Sequence, residues 1–275
     1  MHKKTLSVVL CLAMLLSMFA MMPANAVTTD AQPTGTRTVE SPDDFSWDNA
    51  NVYFLLTDRF YNGNTSNDHS YGRALNSSGQ PISGWNTAPG TFHGGDFAGV
   101  TKKIEEGYFD KLGVNAIWIS APYEQIHGYV TPGEPNDFAH YSYHGYYVLD
   151  YTETDANFGT KQEFKTLVDT AHKHGIRLVM DIVMNHAGYN TIKDMLEFNF
   201  GTFKDKNAAT SYLYKLTGVN SLHDTVNYSE TASDWGRWWG SSWVRSGLPG
   251  YKEDGGGDLT SCLAGLPDFR TESTN

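Results

Sequence analysis

The 275-residue chain has little cysteine, a deficit of basic residues and only one long apolar run. Cys11 and Cys262 are its whole thiol complement. Cys11 falls in a segment read below as a cleaved leader, so the mature chain keeps Cys262 alone and can close no internal disulfide. Cys262 is then either a buried free thiol or the partner of a cysteine beyond Asn275. The 20 Lys and Arg are outnumbered by 31 Asp and Glu, for a formal net charge of −11. So acidic a surface is a poor match for nucleic acid or for an anionic membrane. There is no internal repeat and no low-complexity tract.

The apolar run, Leu6 to Met22, follows His2-Lys3-Lys4 and precedes Ala24-Asn25-Ala26. A basic start, an apolar centre and a small-x-small site make residues 1–26 a secretory signal peptide, too short and weakly flanked for a stable anchor. The expectation is a soluble exported protein, secreted or periplasmic, with no membrane association after cleavage. Residues 27–46 begin with a stretch rich in Thr, Pro and small residues, and they read as a disordered leader.

The rest is organised around GIRLVMDIVMNH, Gly175 to His186. Ile176 to Val183 is a nearly unbroken, β-branched apolar run, the pattern of a strand buried on both faces of a parallel sheet. Asp181, Val183 and Asn185 would share one face of such a strand, with His186 on the other. Two more strands are expected, over Val52 to Leu56 and over Ala116 to Ser120. Between them, Asp96 is placed to cap a helix carrying Phe97, Val100, Ile104 and Tyr108 at helical spacing, ended by Gly113. Thr160 is placed to cap a second, with Phe164, Leu167, Val168 and Ala171 on one face and Gly175 at its end. This alternation implies βαβ units on a parallel sheet. Asn62 to Gly90, dense in Asn, Ser and Gly, reads as a long surface loop. Ala121 to Asn157 reads as another, crowded with aromatic and imidazole side chains. After His186 the alternation stops and a Gly-, Ser- and Trp-rich stretch follows, including Trp238 and Trp239.

Rings, imidazoles and carboxylates thus gather at the C-terminal ends of parallel strands, where α/β folds place their chemistry. Flat rings stack on sugar faces, and His and Asp bind hydroxyls. Taken together, NVYFLLTDRF, GTFHGGDFAG, AIWIS, YHGYYVLDY, GIRLVMDIVMNH and GLPDF resemble, in order and spacing, the α-amylase family of glycoside hydrolases. SAPYEQIHG is most similar to the bacterial secreted and periplasmic members.

The resemblance implies an α/β fold, the N-terminal part of a (β/α)8 TIM barrel with a subdomain inserted after the third strand. Residues 47–186 would form the first three βα units. Residues 187–275 would form a calcium-binding insertion and the return toward the barrel. It implies Ca2+ bound by Asn185 and Asp268, with Asp258 as a further oxygen donor. His144, Tyr146 and His186 become substrate-binding residues, and Asp181 a carboxylate that steadies an arginine near the nucleophile. Asp58 and Arg59 are expected to form a structural ion pair.

The activity implied is hydrolysis of internal α-1,4-glucosidic bonds of starch or maltooligosaccharides with retention, which needs two carboxylates about 5 Å apart. The motifs that carry those carboxylates are not found here, so the chain is expected to hold an incomplete barrel and to be inactive alone. Three strands without neighbours would leave an open edge and an uncovered apolar face. The alternatives are a cyclodextrin-forming or maltogenic relative, or a non-catalytic glucan-binding fragment.

Overall fold

The computed structural model describes residues 45–130, 138–215, 225–227, 234, 238–239 and 266–270. The expected signal peptide, the expected leader up to residue 44, Cys262 and Asp258 lie outside them. Along the chain run β1 (Val52–Leu55), a single turn α1 (Thr57–Phe60), α2 (Phe97–Glu105), α3 (Tyr108–Lys111), β2 (Ala116–Ile119), β3 (Tyr123–Gln125), β4 (Val148–Thr154), α4 (Lys161–Lys173), β5 (Arg177–Met180), α5 (Ile192–Glu197) and α6 (Lys206–Ser211).

The expected parallel sheet is present, in the order β1-β2-β5. Its register runs from Val52–Ala116–Arg177 to Leu55–Ile119–Met180. One face is the core: Leu55, Ile117 and Ile119 are buried with Phe97, Val100 and Ile104 of α2 and Leu167 and Ala171 of α4. On the other face Val52, Phe54 and Trp118 remain 46%, 47% and 41% exposed, with Phe54 and Trp118 edge-on at 5.0 Å. Each such side chain, if fully covered, would contribute about 1.5–3 kcal/mol, so this face of the sheet is unfinished among the described residues.

The central run departs from the expected strand. Only Arg177 to Met180 pairs with β2. Met180, Ile182 and Met184 are exposed, and Val183 sits at φ +40, in the left-handed region that ends extended alternation. Asp181, Val183 and Asn185 therefore do not share a strand face.

Asp96 caps α2 as expected, its carboxylate accepting from the Gly99 N–H at 2.6 Å. The single helix expected up to Gly113 is two, because Gly107 adopts φ +69 and restarts the chain as α3. Thr160 and Glu163 close a capping box at the start of α4.

The two long loops are more structured than expected. The second contains β3 and β4, an antiparallel pair with irregular register. The first sends Arg73 into the interior, where its guanidinium is fully buried. One terminal nitrogen donates to Asp155 Oδ1 at 2.8 Å and to Asn157 Oδ1 at 2.7 Å. The other donates to Asp155 Oδ2 at 2.9 Å and to the carbonyls of Gln125 and Ile126 at 3.0 Å. A fork-to-fork pair of this kind fixes geometry as well as neutralising charge.

After β5 the described residues hold α5 and α6, which bury Ile192, Met195 and Ala209 with Val226 in a separate cluster. His127 connects the β3 segment to α5. Both of its ring nitrogens meet carboxylates at 2.8 Å, Glu124 on one side and Glu197 on the other, and Asp194 accepts its backbone N–H at 2.9 Å.

Replacing Arg73 with Met is expected to lower the unfolding free energy by about 3–5 kcal/mol, because Asp155 is left as a buried charge without its cation. Replacing Lys161 with Ala removes a largely exposed pair with Glu153 and is expected to cost less than about 1 kcal/mol. Urea titrations of the two variants measure the difference.

Candidate functional site

The loops at the C-terminal ends of β1, β2 and β5 converge on a tight turn, Ser142 to Tyr147. The turn is closed by the Gly145 N–H on the Ser142 carbonyl at 3.1 Å. Gly145 has φ +90, and a Cβ there would stand 2.5 Å from the Ala121 carbonyl oxygen, so only glycine lets the turn sit against the end of β2.

His144 Nδ1 accepts from the Tyr146 N–H at 3.0 Å, and the two rings stack at 5.3 Å and 21°. Tyr146 donates its hydroxyl to Asp181 Oδ2 at 3.3 Å. His186 Nε2 lies 2.9 Å from the Tyr146 carbonyl and can only donate there. Its Nδ1 then accepts from the Asn185 amide nitrogen at 2.6 Å, which fixes a neutral tautomer. The structure thus brings His144, Tyr146, His186 and Asp181 together.

The electrostatics keep both imidazoles neutral. Burial pushes His144 down to about 3, helped by the Arg59 charge and by repulsion from His140 and His186 whenever those rings are protonated. Burial also lowers His186, against a carbonyl acceptor and the Asp268 charge. Beside them, Arg59 and Asp58 form the expected ion pair at 3.0 Å. Arg59 also donates to the Pro89 and Thr91 carbonyls at 2.9 Å and lies over the Tyr143 ring at 3.8 Å. Burial raises the Asp58 carboxyl to about 7, opposed by Arg59 and by the His93 and Gly94 N–H groups.

The backbones carrying Asn185 and Asp268 are also brought together, with Asn185 opposite Phe269 and His186 opposite Asp268. His186 and Asp268 face each other across an antiparallel bridge, flanked by Phe269 N–H on the Asn185 carbonyl and Ala187 N–H on the Pro267 carbonyl, both at 2.9 Å. Tyr151 pins the bridge with its hydroxyl, which lies 2.8 Å from the Val183 carbonyl and 2.9 Å from that of His186. An amide oxygen and a carboxylate are the donors a hard cation takes. No group of three or more His, Cys, Asp or Glu able to hold a metal lies among the described residues, and the expected donor Asp258 is outside them.

A second oxygen-rich place fits that description better. Asn62 Oδ1 and Asn67 Oδ1 are buried without a hydrogen-bond partner, beside the carboxylates of Asp68 and Asp96. Gly94 closes this cradle: a Cβ there would meet Asn62 Nδ2 at 2.3 Å and Asp68 Oδ1 at 2.5 Å. Sequence reading passed it over as Asn-rich loop, and Arg73 as surface, because neither has periodicity. Trp238 is 46% exposed and touches Phe198, whereas Trp239 packs on Tyr151 and Phe269.

The profile of the alpha-amylase family, described as the alpha amylase catalytic domain, matches residues 54–244. A periplasmic alpha-amylase of Escherichia coli (strain K12) is 47% identical over 240 residues, 84% of this chain and 34% of that protein. A cyclomaltodextrin glucanotransferase of Bacillus sp. (strain 1011) is 38% identical over 136 residues, 50% of this chain and 18% of that protein. Among solved structures, the Gamma-CGTASE of alkalophilic Bacillus clarkii is 25% identical over 80% of this chain and 26% of its own, with a TM-score of 0.48. The chain thus spans about a third or less of the length of these relatives. No helix among the described residues is long and apolar enough to cross a membrane.

Two imidazoles are shifted in opposite directions, and each is expected to shape one limb of the stability–pH curve. His144, lowered when folded, makes the unfolded chain bind more protons between its folded value and about 6.5, so stability falls as pH drops through that range. For His127, burial alone would lower the value, but Glu124, Asp194 and Glu197 raise it, so its contribution is complete below about 6.5 and is lost as pH rises through the raised value. His144→Gln should flatten the acid limb and His127→Gln the alkaline one, read as urea midpoints across the pH range.

Proposed function

The chain belongs to the alpha-amylase family, and from that premise we propose that it carries the N-terminal, substrate-contacting part of an exported α-amylase acting on internal α-1,4-glucosidic bonds of starch or maltooligosaccharides with retention. The observation that carries this reading is the joining of His144, Tyr146 and His186 in one place at the C-terminal ends of parallel strands.

In this reading the Tyr146 ring stacks beneath a glucose unit, and its hydroxyl contact with Asp181 keeps the ring from turning away. His144, held neutral with Nδ1 accepting from the Tyr146 N–H, presents its Nε2–H to a sugar hydroxyl without the desolvation cost of a buried imidazolium, and His186 reaches the sugar only by exchanging its contact with the Tyr146 carbonyl or with Asn185 for one to a hydroxyl. Asp181 also steadies cationic groups brought near it by the rest of the barrel. The nucleophile and the acid/base belong to motifs that the 275 residues do not include, so no bond-breaking step is assigned to a residue here. Residues 187–275 serve, in this reading, as the inserted calcium-binding subdomain and the return toward the barrel.

Calcium is proposed at Asn185 and Asp268, with Asp258 as a further donor, and the Asn62, Asn67, Asp68 and Asp96 cradle offers a second set of hard oxygens. Bound there, the ion supplies charge neutralisation and a clamp. Export follows from the leader at residues 1–26, in keeping with the periplasmic relative. A cyclodextrin-forming or maltogenic activity is the second reading, favoured by the glucanotransferase similarity over half of the chain. Product analysis separates the two: cyclic or transfer products in place of linear maltooligosaccharides select the second.

The purified chain is expected to be retarded in amylose-containing gels but to release no reducing sugar, and Tyr146→Ala should weaken retention roughly tenfold, about 1.4 kcal/mol. Turnover by the chain would overturn the assignment of both catalytic carboxylates to other motifs. Chelation is expected to lower the thermal midpoint and added Ca2+ to restore it, with a smaller response in Asp268→Ala and Asp68→Ala. An unchanged midpoint on chelation would remove calcium from the account.

A further inference from the structure

We propose that Gln125 is the positioning residue of the turn that carries His144 and Tyr146, its buried side-chain amide deciding where those two rings stand. The inference rests on the proposed glucan role only for what the turn touches; the positioning itself follows from contacts.

Gln125 ends β3 and is fully buried. Its Oε1 accepts the Ser142 hydroxyl at 2.6 Å and the Tyr147 N–H at 2.8 Å. These donors lie on either side of His144-Gly145-Tyr146, so both ends of the turn close on one oxygen atom. Its Nε2 donates to the Tyr123 carbonyl at 2.8 Å, which fixes the amide's orientation. The backbone is held just as firmly: the N–H donates to Asp155 Oδ2 at 2.9 Å, and the carbonyl accepts from Arg73 at 3.0 Å. A rigid, neutral acceptor therefore stands between the buried Arg73–Asp155 pair and the turn.

The chemistry selects glutamine. The site needs two lone pairs on one oxygen and a donor on the neighbouring atom, both within reach from β3. Met would fill the volume but leave the Ser142 hydroxyl buried without an acceptor and the Tyr147 N–H with only its longer contact to Ser142 Oγ, at 3.1 Å. Ionised Glu would keep the acceptor, lose the donor to Tyr123 and bring a second negative charge beside Asp155. Protonated Glu restores both functions, because its hydroxyl donates where the amide did.

The experiment follows the His144 imidazole by nitrogen-15 NMR in the wild-type chain, Gln125→Met, Gln125→Glu and Ser142→Ala, alongside retention on amylose. In Gln125→Met, with far-UV dichroism and the His127 resonances unchanged, His144 is expected to titrate well above its wild-type value of about 3, toward 6.5. Retention is expected to weaken about as much as in Tyr146→Ala. Gln125→Glu should match wild type in acid and Gln125→Met in alkali, a pH-dependent rescue that a purely space-filling role would not produce. A folded Gln125→Met with the wild-type His144 titration overturns the proposal. If Gln125→Met does not fold, the acid–alkali comparison in Gln125→Glu and the His144 shift in Ser142→Ala decide it, and pH-independent spectra in the first with no shift in the second overturn it. If the wild-type chain is not retained on amylose, the glucan reading fails while the His144 shift still tests Gln125.

Discussion

The buried pair between Arg73 and Asp155 is the contact on which the arrangement at the strand ends depends. It joins three segments distant in sequence: the loop after α1, the β3 strand through two carbonyls, and the end of β4. Asn157, on the same guanidinium, reaches back to the carbonyls of Asn67 and Asp68 and so orders the Asn-rich loop. A charge pair removed from water is weak evidence of net stability, since desolvation offsets much of the attraction. Its effect here is on specificity of position: with every lone pair of Asp155 committed to Arg73, Gln125 or Asn157, few alternative packings of these loops satisfy the same groups.

From that anchor the site is assembled around two neutral imidazoles. Asp58 and Arg59 offset each other, His144 and His186 lose their protons to burial, and Tyr146 is oriented by Asp181. In the proposed glucan reading, such a site would meet a neutral, hydroxyl-rich ligand. His127, an imidazole pushed the other way, ties β3 to α5 through two glutamates. The open face bearing Phe54 and Trp118 sets the limit of what the described residues do alone: the sheet is anchored on its helical side and lacks cover on the other.

The amino-acid sequence by itself determined the three parallel strands, the Asp96 and Thr160 caps, and the family, because apolar runs, capping residues and ordered motifs are local properties. It also named His144, Tyr146, His186 and the Asn185–Asp268 pairing, through motif resemblance rather than through any periodicity. Only the tertiary structure decided that Arg73 is buried, that Gln125 accepts from both ends of the turn, that the third strand stops at Met180 and that Gly107 divides a helix. Each of these depends on partners far away in sequence or on a backbone angle, and neither leaves a trace in local hydrophobic pattern. Polar side chains in Asn- and Gly-rich loops look solvated until a distant carboxylate or carbonyl is shown to meet them.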